Sequence, residues 1–151
     1  YKLNPETGKV EVLIKNLAMP NGIVFSPDGS RLYIADTGGH KRHPDPKYHD
    51  YPDTVTCYAV SKKGKLGKKL FTIDEGSDGM AVDVKGNLYL THGQVQVYDA
   101  DGKKLETIEV PEKPANVCFG GKDYKTLFIT ARTSLYQVRL AHAGAMSLRN
   151  K

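Results

Sequence analysis

The segment PNGIVFSPDGSRLYIADTG at residues 20–38 decides the fold class of this chain. Strand-like segments at 23–26 and 31–36, mostly apolar, flank Pro27-Asp28-Gly29-Ser30, a sequence typical of a turn in which glycine supplies the positive φ. The segment therefore predicts two short strands joined by a tight turn. Equivalent hairpins are predicted at residues 81–91 and 117–130.

A second type of hairpin lies between these segments, at residues 1–14, 54–73 and 95–108. The repeating unit is therefore two hairpins, or four strands, with a period of roughly 40 to 55 residues, which is typical of a β-propeller blade. A sandwich of the immunoglobulin type also has many short strands, but it does not repeat one inner hairpin three times. We predict an all-β chain of about three blades over residues 1–140, followed by a tail at 141–151.

Composition excludes several other classes of protein. The 151 residues are 39% hydrophobic and 26% charged, as in globular proteins. No apolar run reaches the ~18 residues of a membrane span, so no membrane partner is expected. The net charge is +5, but the lysines cluster in predicted turns such as 62–69, which does not favour a nucleic-acid partner.

Cys57 and Cys118 lie in apolar strand patterns, which predicts buried free thiols.

Each inner hairpin is preceded by a similar tripeptide: Pro20-Asn21-Gly22, Ser77-Asp78-Gly79 and Pro114-Ala115-Asn116. In a propeller these positions surround the mouth of the central channel. Asparagine and aspartate oxygens suit a hard cation such as Ca²⁺ or Mg²⁺. They are also common turn residues that cap their own backbone, so spacing alone leaves both interpretations open.

Three segments together resemble the family that contains gluconolactonase, senescence marker protein (regucalcin) and luciferin-regenerating enzyme. They are PNGIVFSPDGSRLYIADTG at 20–38, SDGMAVDVKGNLYLT at 77–91 and PANVCFGGKDYKTLFITARTSLYQVRL at 114–140. The resemblance covers nearly the whole chain and matches the C-terminal half of the usual family length. It implies a six-bladed β-propeller whose other half, or a second copy of the chain, is needed to close the ring.

The resemblance also implies an activity, the metal-dependent hydrolysis of a sugar lactone to its aldonic acid. The family binds one divalent cation, calcium first, with Zn²⁺, Mg²⁺ or Mn²⁺ as alternatives. Asn21 and Asp78 match two of its ligands, and Asp78 also matches the general base. The third ligand, a glutamate from the first blade, has no counterpart here, so we expect little activity from this chain alone. Asn116 matches a position near the channel and is expected to support the site.

Two further features leave alternatives open. The loop at residues 38–53 carries His40 and His43 among prolines and carboxylates. It is interpreted as a solvated loop, as a lid that contacts substrate, or as a metal site. His92 follows an inner strand and is either a packed residue or one near the channel. The rival to the hydrolase is a propeller scaffold that binds protein or carbohydrate without catalysis.

Overall fold

The structure is a computed structural model that describes residues 1–40 and 43–150. It consists of antiparallel strands and two short 3₁₀ helices, Pro46–Tyr48 and Ala145–Asn150. The all-β prediction is confirmed. The strands are β1 Lys2–Leu3, β2 Val10–Glu11, β3 Pro20–Phe25, β4 Arg31–Thr37, β5 Asp53–Val60, β6 Leu66–Ile73, β7 Met80–Val82, β8 Leu88–His92, β9 Gln94–Tyr98, β10 Lys104–Ile108, β11 Pro114–Gly120, β12 Thr126–Ala131 and β13 Leu135–Arg139.

The strands form four sheets in chain order. After a two-stranded hairpin, β1–β2, come a first sheet β3–β4–β5–β6, a second sheet β7–β8–β9–β10 and a third sheet β11–β12–β13. Every connection joins sequential neighbours, as expected from strands linked by short turns. The first hairpin is smaller than predicted, because its second strand covers only Val10–Glu11, where we expected 10–14.

The turn at residues 26–31 forms as its sequence requires. Ser26 N–H donates to the Arg31 carbonyl at 3.0 Å, and Gly29 N–H donates to the Ser26 carbonyl at 2.9 Å. The Asp28 carboxylate accepts from the hydroxyl groups of Ser26 and Ser30 at 2.6 and 2.7 Å. These local bonds close the hairpin between β3 and β4.

Two apolar cores hold the three larger sheets together. One core lies between the first and second sheets and includes Tyr33, Val55 and Leu90, all fully buried. The other lies between the second and third sheets and includes Val95 and Leu127. Burying each such aliphatic side chain contributes roughly 1.5–3 kcal/mol. The sheets therefore pack face to face in series, with the second sheet shared.

The first strands of the three sheets lie side by side: β3 contacts β7, and β7 contacts β11. The starting ends of these strands therefore gather at one end of the molecule, here called the N-terminal mouth. It contains residues 20–22, 77–79 and 114–116. The turns that follow the same strands gather at the opposite end.

At that opposite end, the segment after β13 joins the second and third sheets. Val84 N–H donates to the Ala143 carbonyl at 2.8 Å, and Gly144 N–H donates to the Tyr124 carbonyl at 2.9 Å. Gly144 also forms a β-bridge with Asp83. In the part of the chain that the structure describes, no helix has the length and apolar character needed to span a membrane.

The cysteines are free, as predicted, but only one of them is buried. Cys57 has no exposed surface, whereas Cys118 is exposed. The prediction was wrong for Cys118 because neighbouring residues of β11 point to opposite faces of the sheet. Val117 and Phe119 occupy the buried face, which turns Cys118 outward.

Candidate functional site

Asn21 and Asp78 meet at the N-terminal mouth although they are 57 residues apart in the chain. The Asn21 Nδ2 atom donates to Asp78 Oδ1 at 3.0 Å. Asn21 is the second residue of β3, and Asp78 lies two residues before β7. Both side chains are exposed, so an amide and a carboxylate are presented together to solvent.

Irregular backbone turns these side chains out of the strand ladders. The register between β3 and β4 shifts between Pro20 and Ile23, which places Asn21 in the irregular stretch. A similar shift occurs in β11 between Pro114 and Asn116. Such bulges re-aim side chains and are frequent beside functional sites.

Two glycines allow the three tripeptides to approach one another. A Cβ atom on Gly22 would lie 2.9 Å from Met80 Cε and 3.0 Å from the Asp78 carbonyl oxygen. A Cβ atom on Gly79 would lie 2.0 Å from Asn116 Oδ1. The glycines of the PNG and SDG sequences are therefore required by close packing between sheets, because any side chain there would push the strands apart.

Asp36 holds the chain that leads into Asn21. Its buried carboxylate accepts from the backbone N–H groups of Ala18 and Met19 at 2.7 and 2.6 Å. The Met19 carbonyl in turn accepts from Thr37 N–H at 3.1 Å. These bonds fix the position of β3 relative to the end of β4, and with it the position of Asn21.

A buried hydroxyl pair holds the loop that carries Asp78. Thr91 Oγ1 accepts from Gly79 N–H at 2.9 Å, and Ser77 Oγ accepts from Thr91 N–H at 2.8 Å. Gly79 N–H also donates to the Ala115 carbonyl at 3.0 Å, which ties the loop to the third sheet. Because Ser77 and Thr91 are buried, the bonds stabilise the loop with little competition from water.

Asn116 lies beside this loop. Its Oδ1 atom accepts from the N–H of Val117 at 2.8 Å, so the side chain folds back on its own strand. Its Oδ1, Cγ and Cα atoms pack against Gly79. No hydrogen bond joins it directly to Asn21 or Asp78 in the described part of the chain.

His40 and His92 come together around a residue that the sequence did not single out. His40 Nε2 lies 3.2 Å from Asp53 Oδ1, and His92 Nδ1 lies 3.9 Å from Asp53 Oδ2. His43 is not part of this group. Its Nδ1 accepts from Asp45 N–H at 2.9 Å within the loop, and its ring meets that of Tyr48 edge-on.

The mouth offers oxygen donors of the kind that a hard divalent cation requires. The Asp78 carboxylate and the Asn21 amide each supply a side-chain oxygen that can serve as a metal ligand, and they come from two different sheets. Among residues 1–40 and 43–150, no three His, Cys, Asp or Glu side chains converge on a metal position. The residues present therefore fit part of a cation site, one carboxylate with one amide, and additional ligands are needed to complete it.

Sequence reasoning missed the residues that support the site: Asp36, Asp53, Ser77 and Thr91. Asp36 carried no signal for this role, because it accepts from residues 17 and 18 positions earlier in the chain. Thr91 carried a usable signal, because it is a polar residue that directly follows Leu88, Tyr89 and Leu90 in the strand Leu88–His92. Asp53 carried none, since its partners are set only by packing between sheets.

The fold and the mouth define a class of protein, an all-β chain of serial antiparallel sheets with an amide–carboxylate pair at one end of its inner strands. Residues 1–133 match the family described as the SMP-30/Gluconolactonase/LRE-like region. The chain belongs to this family, as the resemblance in its sequence indicated.

Curated relatives include several proteins named as lactone hydrolases. The chain is 31% identical over 160 residues to lactonohydrolase oryH of Aspergillus oryzae, with 95% of this chain and 34% of that protein covered. It is 30% identical over 151 residues to the gluconolactonase of Zymomonas mobilis, covering 95% and 41%. It is 39% identical over 135 residues to regucalcin of Bos taurus, covering 86% and 42%.

Solved structures agree with the sequence relatives. A gluconolactonase from Xanthomonas campestris superposes with a TM-score of 0.65 at 30% identity, covering 84% of this chain and 39% of that one. A protein from Agrobacterium tumefaciens described as calcium-binding, regucalcin, superposes with a TM-score of 0.67 at 30% identity, covering 84% and 42%. The chain thus spans less than half the length of these relatives.

Proposed function

We propose that this chain forms part of a six-bladed β-propeller that hydrolyses a sugar lactone to the corresponding aldonic acid. The contact between Asn21 and Asp78, 3.0 Å across two sheets, carries the proposal, because it brings a carboxylate and an amide to one point at the mouth. The names of the relatives, lactonohydrolase and gluconolactonase, support the reaction class.

A propeller is supported by the serial packing of the sheets and by the adjacent first strands. The 13 strands of the described residues amount to about three four-stranded blades, and the chain spans 41% of the Zymomonas relative. The outer face of β3 leaves Ile23 63% exposed, and β13 at the other end leaves Leu135 66% exposed. Such apolar edges favour further blades, supplied by another part of the protein or by a second copy of this chain.

A divalent cation, calcium first, fits the donor set at the mouth, with Asn21 and Asp78 as its ligands in this chain. One solved relative is itself described as a calcium-binding protein. When bound, such an ion polarises the lactone carbonyl and lowers the pKa of a bound water. The remaining chemistry is assigned to side chains of the protein.

Asp78 acts as the general base in this mechanism. A water molecule attacks the lactone carbonyl carbon, and its proton passes to the Asp78 carboxylate as the new C–O bond forms. The ring C–O bond of the tetrahedral intermediate then breaks, and Asp78 returns the proton to the departing alkoxide. The product is an open-chain hydroxy acid. Asn21 orients the carboxylate through its Nδ2 atom.

Asn116 and the loop at residues 38–53 are assigned supporting roles. Asn116 keeps the third sheet against Gly79, and so maintains the position of Asp78. The loop, which includes His43, begins at the end of β4 on the same side as the mouth, where it can cover a bound substrate. A small-molecule lactone is the partner that this arrangement accommodates.

Calorimetry with CaCl₂ tests the proposal. Titrations compare this chain and a full-length protein that contains it, each as the parent and as Asp78→Ala. Asp123→Ala serves as the matched control, since Asp123 is a carboxylate in the turn at the opposite end of the sheets. We expect the full-length protein to bind one ion, Asp78→Ala to lose it, and the control to keep it. Gluconolactone hydrolysis should fall with the same variant.

Two results contradict the proposal. If Asp78→Ala binds calcium and hydrolyses the lactone as well as the parent does, Asp78 is neither ligand nor base. If the full-length parent binds no divalent cation and opens no lactone, the tripeptide residues are turn residues. The propeller is then a binding scaffold.

A further inference from the structure

Asp53 lies between two histidines that come from different sheets. It is the first residue of β5, and its carboxylate faces His40 from the loop after β4 and His92 from the end of β8. The closest approaches are 3.2 Å from Oδ1 to His40 Nε2 and 3.9 Å from Oδ2 to His92 Nδ1. Three side chains with complementary chemistry therefore meet at the junction of the first two sheets.

The position of Asp53 is fixed by its surroundings. Its backbone pairs with Thr37 in the ladder between β4 and β5. A Cβ atom on Gly76 would lie 3.1 Å from Asp53 Cβ, so the chain between the sheets packs closely on this side chain. Asp53 Oδ1 is buried and makes no hydrogen bond among the described residues. The carboxylate is held in place while part of its hydrogen-bonding capacity stays unused.

His40 adopts an unusual backbone conformation. Its φ is 43°, in the left-handed region that non-glycine residues seldom occupy. Residues held in such conformations are concentrated at functional sites, because the surrounding structure must impose them. Here that conformation accompanies an imidazole aimed at Asp53.

The group lies at the same end of the molecule as the proposed catalytic pair. Asp78 N–H donates to the Thr91 carbonyl at 3.3 Å, and His92 is the next residue. On the first sheet, Asp53 pairs with Thr37. The residue before Thr37 is Asp36, which pairs with Pro20, the neighbour of Asn21. The three side chains thus stand on the rim of the mouth, outward from Asn21 and Asp78.

The chemistry of a neutral imidazole determines what this group can bind. One ring nitrogen carries a proton and the other carries a lone pair, and a carboxylate attracts the protonated nitrogen. His40 Nε2 and His92 Nδ1 are ring nitrogens that face Asp53 at ion-pair distance without forming a hydrogen bond. The negative charge favours a proton on each of these two nitrogens, which leaves the opposite nitrogens as acceptors. The His40 and His92 side chains are 60% and 44% exposed, so both imidazole rings are accessible to a ligand.

We propose that His40, Asp53 and His92 form a specificity subsite that binds the hydroxyl groups of a polyhydroxylated lactone. The two imidazoles accept hydrogen bonds from substrate hydroxyls, and Asp53 is a positioning residue that holds both rings in the required tautomer. The subsite rests on the proposed lactone hydrolysis, and it extends that proposal to the substrate's substituents. A lactone without hydroxyls gains nothing from it.

The first experiment requires no catalysis. Nitrogen NMR of the histidine rings, at about pH 9 where free imidazoles are neutral, reports the tautomer in the parent and in Asp53→Asn. We expect Nε2–H at His40 and Nδ1–H at His92 in the parent, and a mixture in the variant. Addition of D-glucitol, an uncharged polyol that cannot be hydrolysed, should shift both rings in the parent. His142, exposed and distant in the fold, is the internal control.

The second experiment compares two lactones on the full-length protein. Gluconolactone carries hydroxyls and δ-valerolactone carries none. For His40→Ala, His92→Ala and Asp53→Asn, we expect KM for gluconolactone to rise between about threefold and tenfold, the effect of losing one hydrogen bond. The kcat values, and both parameters for δ-valerolactone, should stay unchanged. His142→Ala should match the parent with both lactones.

The outcomes separate the two proposals. The subsite does not exist if two results occur together: the variants affect both lactones equally or affect neither, and D-glucitol shifts no ring. The histidines then only pair with Asp53. If the parent hydrolyses neither lactone, the proposed function fails. In that case the tautomers and the D-glucitol titration still decide whether the subsite binds hydroxyls.

Discussion

Replacing Gly79 with alanine should destabilise the chain by separating the second and third sheets. The new Cβ atom would lie 2.0 Å from Asn116 Oδ1, 2.4 Å from its Cγ and 2.8 Å from its Cα. The Asn116 side chain can rotate away, but its Cα belongs to β11 and can move only with the strand. Gly79 N–H also donates to the Ala115 carbonyl at 3.0 Å, so any movement strains that bond.

The size of the effect follows from these contacts. Rotating Asn116 breaks its 2.8 Å bond to Val117 N–H, a loss of about 1 kcal/mol. The remaining backbone overlap costs about 1–3 kcal/mol, as in other overpacked cores. Alanine also lowers the conformational entropy of the unfolded chain, which offsets about 0.5–1 kcal/mol of this loss. The net loss in the free energy of unfolding is about 1–3.5 kcal/mol, or roughly 2–14 °C in Tm for a chain of this size.

Urea and thermal unfolding of the purified chain measure this loss. Gly67→Ala is the matched control, because its Cβ atom would lie 3.2 Å from the Ala59 carbonyl oxygen and needs only a small adjustment. The double variant Gly79→Ala, Asn116→Ala removes the two shortest contacts, so the alanine at 79 should cost about 1 kcal/mol less in that background. If Gly79→Ala unfolds within about 0.5 kcal/mol of the parent, the close packing of these tripeptides is refuted.

Three further predictions concern other parts of the chain. Hydrogen bonds from neighbouring serines, Ser26 first, lower the pKa of Asp28 to about 2, so its NMR titration should have a midpoint there. Its contribution to stability is fully present above its unfolded pKa, and it should be lost as pH falls from that value through about 2. Asp83→Ala should lower the free energy of unfolding by about 3 kcal/mol in urea melts, because that buried carboxylate accepts four hydrogen bonds, from residues 85, 87 and 89. Burial raises the pKa of Cys57, so a thiol reagent should modify exposed Cys118 at once and Cys57 only on unfolding.

Strand and turn positions could largely be predicted from the sequence, because they depend on local patterns. Alternating apolar residues and Asp-Gly or Asn-Gly turns predicted the hairpin at 20–38, and β3 and β4 lie within it. Errors occur where the pattern is short. Val10–Glu11 forms the whole of β2, since residues 12–14 follow without a partner strand in the described structure.

The candidate site could also be predicted only in part from the sequence. Asn21 and Asp78 could be selected from their place before each inner hairpin, together with the family resemblance. The residues that hold them, Asp36 and Thr91, act across 17 or 18 and 12 positions of the chain. Their partners depend on the register between strands and on the way the sheets pack, which no local pattern records.

The sequence by itself determined an all-β chain, its repeating hairpins, its family and the two polar residues at the mouth. Turn chemistry and side-chain alternation are properties of a few adjacent residues, and so they can be predicted from the sequence. Only the tertiary structure decided that Asn21 and Asp78 touch, and that Asp53 faces two histidines. Those contacts arise because buried side chains dock the sheets at one distance and register, which brings residues 57 positions apart to within 3.0 Å.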